Sequence, residues 1–184
     1  DIIRERLYCI KYIKKNIDNN GKIKEIKYYT SPNKSDINRE KKVIELLNER
    51  FSDYQEKGYI PSMKIEDGEK TNEPIRTRGF TYWHQLFNQR QLLIQGLLYE
   101  SIMNIAKSKE EYMIGLLGIN KCADWNSKLC VWNVGAGTGK TQNTFLNQAL
   151  NTLFNYGTRG LINLDTSWKL NINSCNFISH INTI

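Results

Sequence analysis

The hydrophobic pattern begins with alternation. In Leu7-Tyr8-Cys9-Ile10-Lys11-Tyr12-Ile13 and again in Ile23-Lys24-Glu25-Ile26-Lys27-Tyr28-Tyr29, β-branched and aromatic residues are interleaved with polar ones. Between the two runs, Asn19-Asn20-Gly21 supplies residues that accept the positive φ of a tight turn. The pattern predicts an antiparallel hairpin over residues 7–13 and 23–29. Lys11, Lys14, Lys15, Lys22, Lys24 and Lys27 fall on both arms, so one face is expected to be basic. Such a face is either solvated or set against nucleic acid.

After Ser31-Pro32 the period lengthens to that of a helix. Ser35 or Asp36 is the expected cap, and Ile37, Val43, Ile44, Leu47 and Phe51 form the apolar stripe. Arg39, Glu40, Lys41, Glu45 and Glu49 give it a mixed-charge outer face, the mark of a surface helix. Residues 52–78 carry Gly58, Pro61, Gly68 and Pro74 with little periodicity and read as a long loop. Asn88-Gln89-Arg90-Gln91 then has the form of a capping box and opens the strongest helix, with Leu92, Leu93, Leu97, Leu98, Ile102, Met103 and Ala106 inward. Ser108-Lys109-Glu110-Glu111 repeats that logic for a helix through Tyr112, Met113, Leu116 and Leu117, expected to stop near Gly118 and Asn120. A third helix is expected from Thr141 or Gln142 to Tyr156, closed by Gly157 with Phe145, Ala149, Leu150, Leu153 and Phe154 inward. Short strand-like runs at 160–165 and 168–172 complete the pattern. It describes an α+β chain: a β-hairpin over 1–30, a surface helix and long loop over 31–79, and a helical core with short strands over 80–184.

Composition narrows the classes. The chain has 184 residues, 40% of them hydrophobic, enough for a core and against wholesale disorder. Lys and Arg number 26 against 19 Asp and Glu, and the resulting +7 favours an anionic partner. Neither a long apolar run nor a signal-peptide layout is present, so a cytoplasmic protein is expected. Cys9, Cys122, Cys130 and Cys175 are scattered without a C-x-x-C, so reduced thiols rather than a zinc knuckle are expected. The opening on Asp1 and the ending Asn182-Thr183-Ile184 read as a segment of a larger parent.

Two stretches could carry chemistry. In Asn133-Val134-Gly135-Ala136-Gly137-Thr138-Gly139-Lys140-Thr141, glycines would let backbone N–H groups approach a ligand at a helix N-terminus. Gly139-Lys140-Thr141 satisfies the end of a nucleotide-binding P-loop, with Lys140 for phosphate and Thr141 for Mg²⁺, while Val134 stands where its first glycine belongs. Gly135, Gly137 and Gly139 also match the glycine spacing of an S-adenosylmethionine-binding turn, a reading that demands a parallel strand pair, and Asn133 replaces its usual acid. A plain glycine connector is the third reading. The second stretch, residues 74–92, sets Arg76, Arg78 and Arg90 beside Tyr82, Trp83 and Phe87, the mixture used for phosphate contact and base stacking, or else to staple a helix start to the core. His84 has no carboxylate partner in sequence and is expected to be a hydrogen-bonded structural imidazole.

Three strings, Arg76-Thr77-Arg78-Gly79-Phe80-Thr81-Tyr82-Trp83-His84-Gln85-Leu86-Phe87-Asn88-Gln89-Arg90, then Asp124-Trp125-Asn126-Ser127-Lys128-Leu129, then Thr144-Phe145-Leu146-Asn147-Gln148-Ala149-Leu150-Asn151 on to Gly157, resemble the large bacterial and archaeal adenine-specific DNA methylases that carry a zinc ribbon. The likeness runs in order from Tyr8 onward. It implies a segment of a larger Rossmann-like enzyme that transfers methyl from S-adenosylmethionine to the exocyclic amine of adenine in double-stranded DNA. The family's Asp-Pro-Pro-Tyr motif does not occur here, so no catalytic residue is carried over. The resemblance places this chain between the cofactor and catalytic motifs of the parent, makes the glycine loop a variable connector, and leaves DNA engagement to Arg76, Arg78, Trp83 and Arg90 with the hairpin lysines.

Overall fold

The computed structural model describes residues 6–133, 140–146, 149–150 and 157. Among them the order is β1 (Ile10–Ile17), β2 (Ile23–Thr30), α1 (Lys34–Glu56), α2 (Asn72–Arg78), a 3-10 turn (Trp83–Leu86), α3 (Gln89–Ile105), α4 (Lys109–Asp124), then the two-residue strands β3 (Trp132–Asn133), β4 (Lys140–Thr141), β5 (Phe145–Leu146) and β6 (Ala149–Leu150). The architecture is α+β, an antiparallel hairpin followed by four helices.

β1 and β2 pair from Ile10↔Thr30 to Ile17↔Ile23, so the first strand begins three residues later than the alternation indicates. The Asp18 carboxylate fixes the turn by accepting from the Asn20 and Lys22 N–H groups, both at 2.9 Å. Gly21 at φ 77° takes the left-handed position that a side chain would strain.

α1 is capped by Asn33 rather than by Ser35 or Asp36. Its side-chain oxygen accepts from the Asp36 N–H at 3.0 Å, and the Asp36 carboxylate accepts from the Asn33 N–H at 2.9 Å. The backbone N–H of Asn33 and then the Arg39 guanidinium hold the Asp36 carboxyl below its ordinary range. The helix extends to Glu56, well into the expected loop, because Tyr54 is a core residue: it is fully buried with Leu47, Ile60, Leu92 and Leu93. That cluster joins the inner face of α1 to α3. The remainder of the expected loop holds α2, closed at Gly79 (φ 68°) by N–H bonds from Gly79 to Ile75 and from Phe80 to Pro74.

α3 starts as the sequence predicts, with Asn88 and Gln91 bonding each other's backbone N–H at 2.9 and 2.8 Å. A methyl group on Gly96 would lie 2.4 Å from the Tyr54 ring, so α1 and α3 meet in a contact that only glycine permits. α4 passes through Gly118 and ends at Asp124, and a Cβ on its Gly115 would lie 2.7 Å from Ile102 of α3. Gly115 therefore marks close helix packing, and Gly118 does not stop the helix. A second cluster, Ile65, Phe80, Leu86 and Leu129, lies beneath α2 and the 3-10 turn, and Phe87 touches both clusters.

The expected third helix is replaced by strands where the chain is described. β4 pairs antiparallel with β3, and β5 with β6. The cause is Asp124, whose carboxylate accepts from Asn143 Nδ2 at 2.8 Å and from the Phe145 N–H at 3.0 Å, while its carbonyl accepts from the Thr144 N–H and hydroxyl. Asn143 and Thr144 are weak helix formers, and these bonds offer their backbone an alternative to a helical ladder. Residues 151–156 and the strand-like runs at 160–165 and 168–172 lie outside the described residues, as do Cys175 and His180.

Candidate nucleic-acid interface

The four residues predicted for DNA contact occupy different settings. Arg76 is exposed on α2. Arg78, in the last turn of that helix, is half-buried, with Nε and Nη1 out of reach of solvent. Trp83 packs against the Ile65–Phe80–Leu86–Leu129 cluster, and its backbone N–H donates to the Met63 carbonyl at 3.2 Å. Arg90 is ion-paired with Glu40 across the α1–α3 contact, both side chains half-buried. An arginine already joined to a carboxylate is a weaker phosphate anchor than an exposed one, and a half-buried indole offers less of its face for stacking. Arg76 is the member of the set that the fold presents openly.

His84 is held by the body of the fold. Its Nδ1 lies 3.1 Å from the Pro61 carbonyl, which can only accept, so Nδ1 carries the proton. Gln55 Nε2 shares that carbonyl at 3.1 Å. Phe51 meets the imidazole edge-on and Tyr82 stacks on it at 5.5 Å. Burial pushes its pKa down, a tendency opposed by the Pro61 hydrogen bond and reinforced by the Lys128 charge. This is the structural imidazole the sequence suggested. Beside it, Lys64, Asp67, Thr81 and Tyr82 line an open cleft of about 380 Å³ floored by Ile65 and Ile75, with Lys64 Nζ 6.0 Å from the Tyr82 ring centre.

Among the described residues, positive charge is concentrated on the hairpin. Its six lysines, at 11, 14, 15, 22, 24 and 27, face two acids, Asp18 and Glu25. Every residue of β2 is exposed, and Ile17 and Ile23 near the turn remain 74% and 61% accessible, so the ribbon's outer half does not pack on the body. At its root Ile10, Lys11 and Tyr12 are half-buried, and Tyr28 stacks on Tyr12 at 5.6 Å. Partial burial and the neighbouring Lys27 charge both lower the Lys11 pKa, the latter a direct sign of crowded positive charge.

The glycine stretch gives a different result. Gly135, Gly137 and Gly139 lie outside the described residues, but their flanks do not. Asn133 pairs with Lys140 and Trp132 with Thr141 in an antiparallel register. The cofactor turn requires a parallel pair, and a P-loop places its Lys and Thr in the first turn of a helix. Neither arrangement fits β3 and β4. Thr141 is buried at 2% exposure, closed over by Gly157, where an added Cβ would lie 2.8 Å from Thr141 and 2.9 Å from the Trp132 ring. Thr141 is thus a buried strand residue, and Gly157 serves as a packing glycine.

Sequence reasoning missed the polar network behind the Asp124-Trp125-Asn126-Ser127-Lys128-Leu129 string. Ser127 Oγ and Thr144 Oγ1 are 2.7 Å apart, the Ser127 N–H donates to Cys130 Sγ at 3.1 Å, and Gln91 Nε2 donates to Asn126 Oδ1 at 3.1 Å. All five side chains are buried. The network clips residues 140–145 to the end of α4 and to the start of α3. The one signal that could have found it was the density of small polar residues around Cys130. Among the described residues, no group of three or more His, Cys, Asp and Glu is placed to hold a metal ion. None of their helices is long and apolar enough to cross a membrane. No family model, curated protein or solved structure matches this chain.

Proposed function

We propose that this chain is a segment of a larger, Rossmann-like, S-adenosylmethionine-dependent DNA adenine methyltransferase, and that it grips duplex DNA without performing methyl transfer by itself. The observation that carries the reading is the ribbon with six lysines against two acids, exposed along all of β2 and at its turn end. The resemblance of the Arg76, Asp124 and Thr144 strings to adenine-specific methylases supplies the enzyme class. Rotating a base out of the stack costs a few kcal/mol, and a segment that holds the flanking phosphates offsets that cost. Arg76, exposed on α2, adds a contact from the body.

Titration of the chain with duplex DNA at stepwise salt concentrations tests the reading. Affinity is expected to fall steeply with salt, and Arg76→Glu to flatten the slope of log K against log salt by about one unit. Salt-independent or absent binding contradicts it, as does methyl transfer by the chain alone.

A further inference from the structure

Resting on that DNA-engaging reading, we infer that the outer half of the β1–β2 ribbon enters the major groove of the duplex with Lys14, Asn16 and Lys24 toward the bases. In an antiparallel pair, residues directly opposite share a face and successive residues alternate between faces. The register therefore sorts the ribbon into two surfaces. One carries Ile10 and Thr30, Tyr12 and Tyr28, Lys14 and Ile26, and Asn16 and Lys24; the other carries Lys11 and Tyr29, Ile13 and Lys27, Lys15 and Glu25, and Ile17 and Ile23.

The surfaces differ chemically. The first holds no acid, and its outer half combines Lys14, Asn16 and Lys24 with the exposed Ile26. Lysine donates to guanine O6 and N7, asparagine bonds adenine N6 and N7 together, and an aliphatic group meets the thymine methyl; these are the contacts the major groove accepts. The second face sets Glu25 3.9 Å from Lys15 Nζ, where the carboxylate would repel phosphate, and ends in the apolar pair Ile17 and Ile23.

Dimensions agree. Two strands about 4.8 Å apart with their side chains fit a groove about 12 Å wide, and the outer four residues of each strand extend roughly 13 Å. With the first face down, Lys11 and Lys27 belong to the face turned away from the bases, and Lys22 lies in the turn.

The experiment measures binding of the full chain to two duplexes of one sequence, one of them with every purine N7 replaced by a C–H. The replacement leaves the phosphate charge unchanged and removes the groove acceptor. Binding to the N7-less duplex is expected to be about tenfold weaker. Lys14→Gln with Asn16→Ala and Lys24→Gln should abolish that difference. The combination of Lys11→Gln, Lys22→Gln and Lys27→Gln, which leaves the groove-facing side chains in place, should keep the difference. Equal binding to both duplexes by a chain that does bind DNA overturns the groove insertion alone. Loss of the difference in both variant sets overturns the assignment of faces. If the unaltered chain has no affinity for either duplex, the underlying reading falls with it.

Discussion

The ribbon and the helical body solve opposite problems with neighbouring stretches of one chain. In the body, contacts are so close that glycine is required: Gly96 against Tyr54, Gly115 against Ile102, Gly157 against Trp132 and Thr141. In the ribbon, β2 is exposed along its whole length, and nothing within 4 Å would meet a methyl group on Gly21. The body spends its apolar residues on two clusters joined by Phe87, whereas the ribbon leaves Ile17, Ile23 and Ile26 in solvent among lysines. Stability thus resides in one region and cationic surface in the other. That division is what a DNA-gripping segment needs, because a surface built to contact phosphate cannot also be a core.

Breaking the body should have the largest effect. Gly96→Ala forces either the Tyr54 ring or the α1–α3 spacing to shift, an overpacking cost of about 3 kcal/mol. For a chain this size, the corresponding fall in Tm is about 10 °C by calorimetry. The same substitution at Gly21 strains a left-handed residue by about 1 kcal/mol, confined to the hairpin. Amide exchange should accelerate over residues 10–30 while the body's Tm stays within about 1 °C.

Removing the carboxylate that replaces a helix by strands comes next. Asp124→Ala takes away the acceptor for Asn143 Nδ2 and the Phe145 N–H, a loss of about 2 kcal/mol. Hydrogen exchange should show faster amides at 142–145 with α1 unchanged. Unaltered protection at 142–145 would mean that Asp124 does not hold that segment.

The smallest effect concerns pH. Burial lowers the His84 pKa in the folded chain, so the unfolded chain takes up the proton first as pH falls below about 6.5. Stability is then full above that point and declines as pH drops from 7 toward the folded pKa. Tm measured between pH 7 and 5 should show this decline, and His84→Gln should remove it. The Asp36 contribution runs the same way in a lower window: its depressed carboxyl stabilises the fold above about pH 4 and loses that effect on further acidification. The two groups therefore separate in a pH series.

Local signals in the sequence located much of this. The Asn-Gly turn, the Asn88–Gln91 capping box and the Ser108 cap depend on residues a few positions apart, and each is where the pattern puts it. What failed depended on contacts distant in sequence. α1 extends past the expected loop because Tyr54 packs against Leu92, Leu93 and Gly96, and nothing near residue 54 announces α3. The expected third helix gives way because Asp124 captures Asn143 and Phe145 about twenty residues later. Of the candidate site, arginine type was legible but availability was not: Glu40 claims Arg90 from a helix fifty residues upstream, and Trp83 sinks into a cluster completed by Leu129. The glycine stretch shows the same limit, since its spacing suggested a ligand turn while its flanks pair antiparallel.

The central claim is that the ribbon carries the DNA affinity and the body only supports it. The salt dependence of duplex binding tests it most directly, comparing the unaltered chain with one in which the six ribbon lysines are glutamine and with Arg76→Gln. The account predicts that the ribbon set removes at least half of the salt slope and Arg76→Gln about one unit. A slope that survives loss of the ribbon lysines would contradict it.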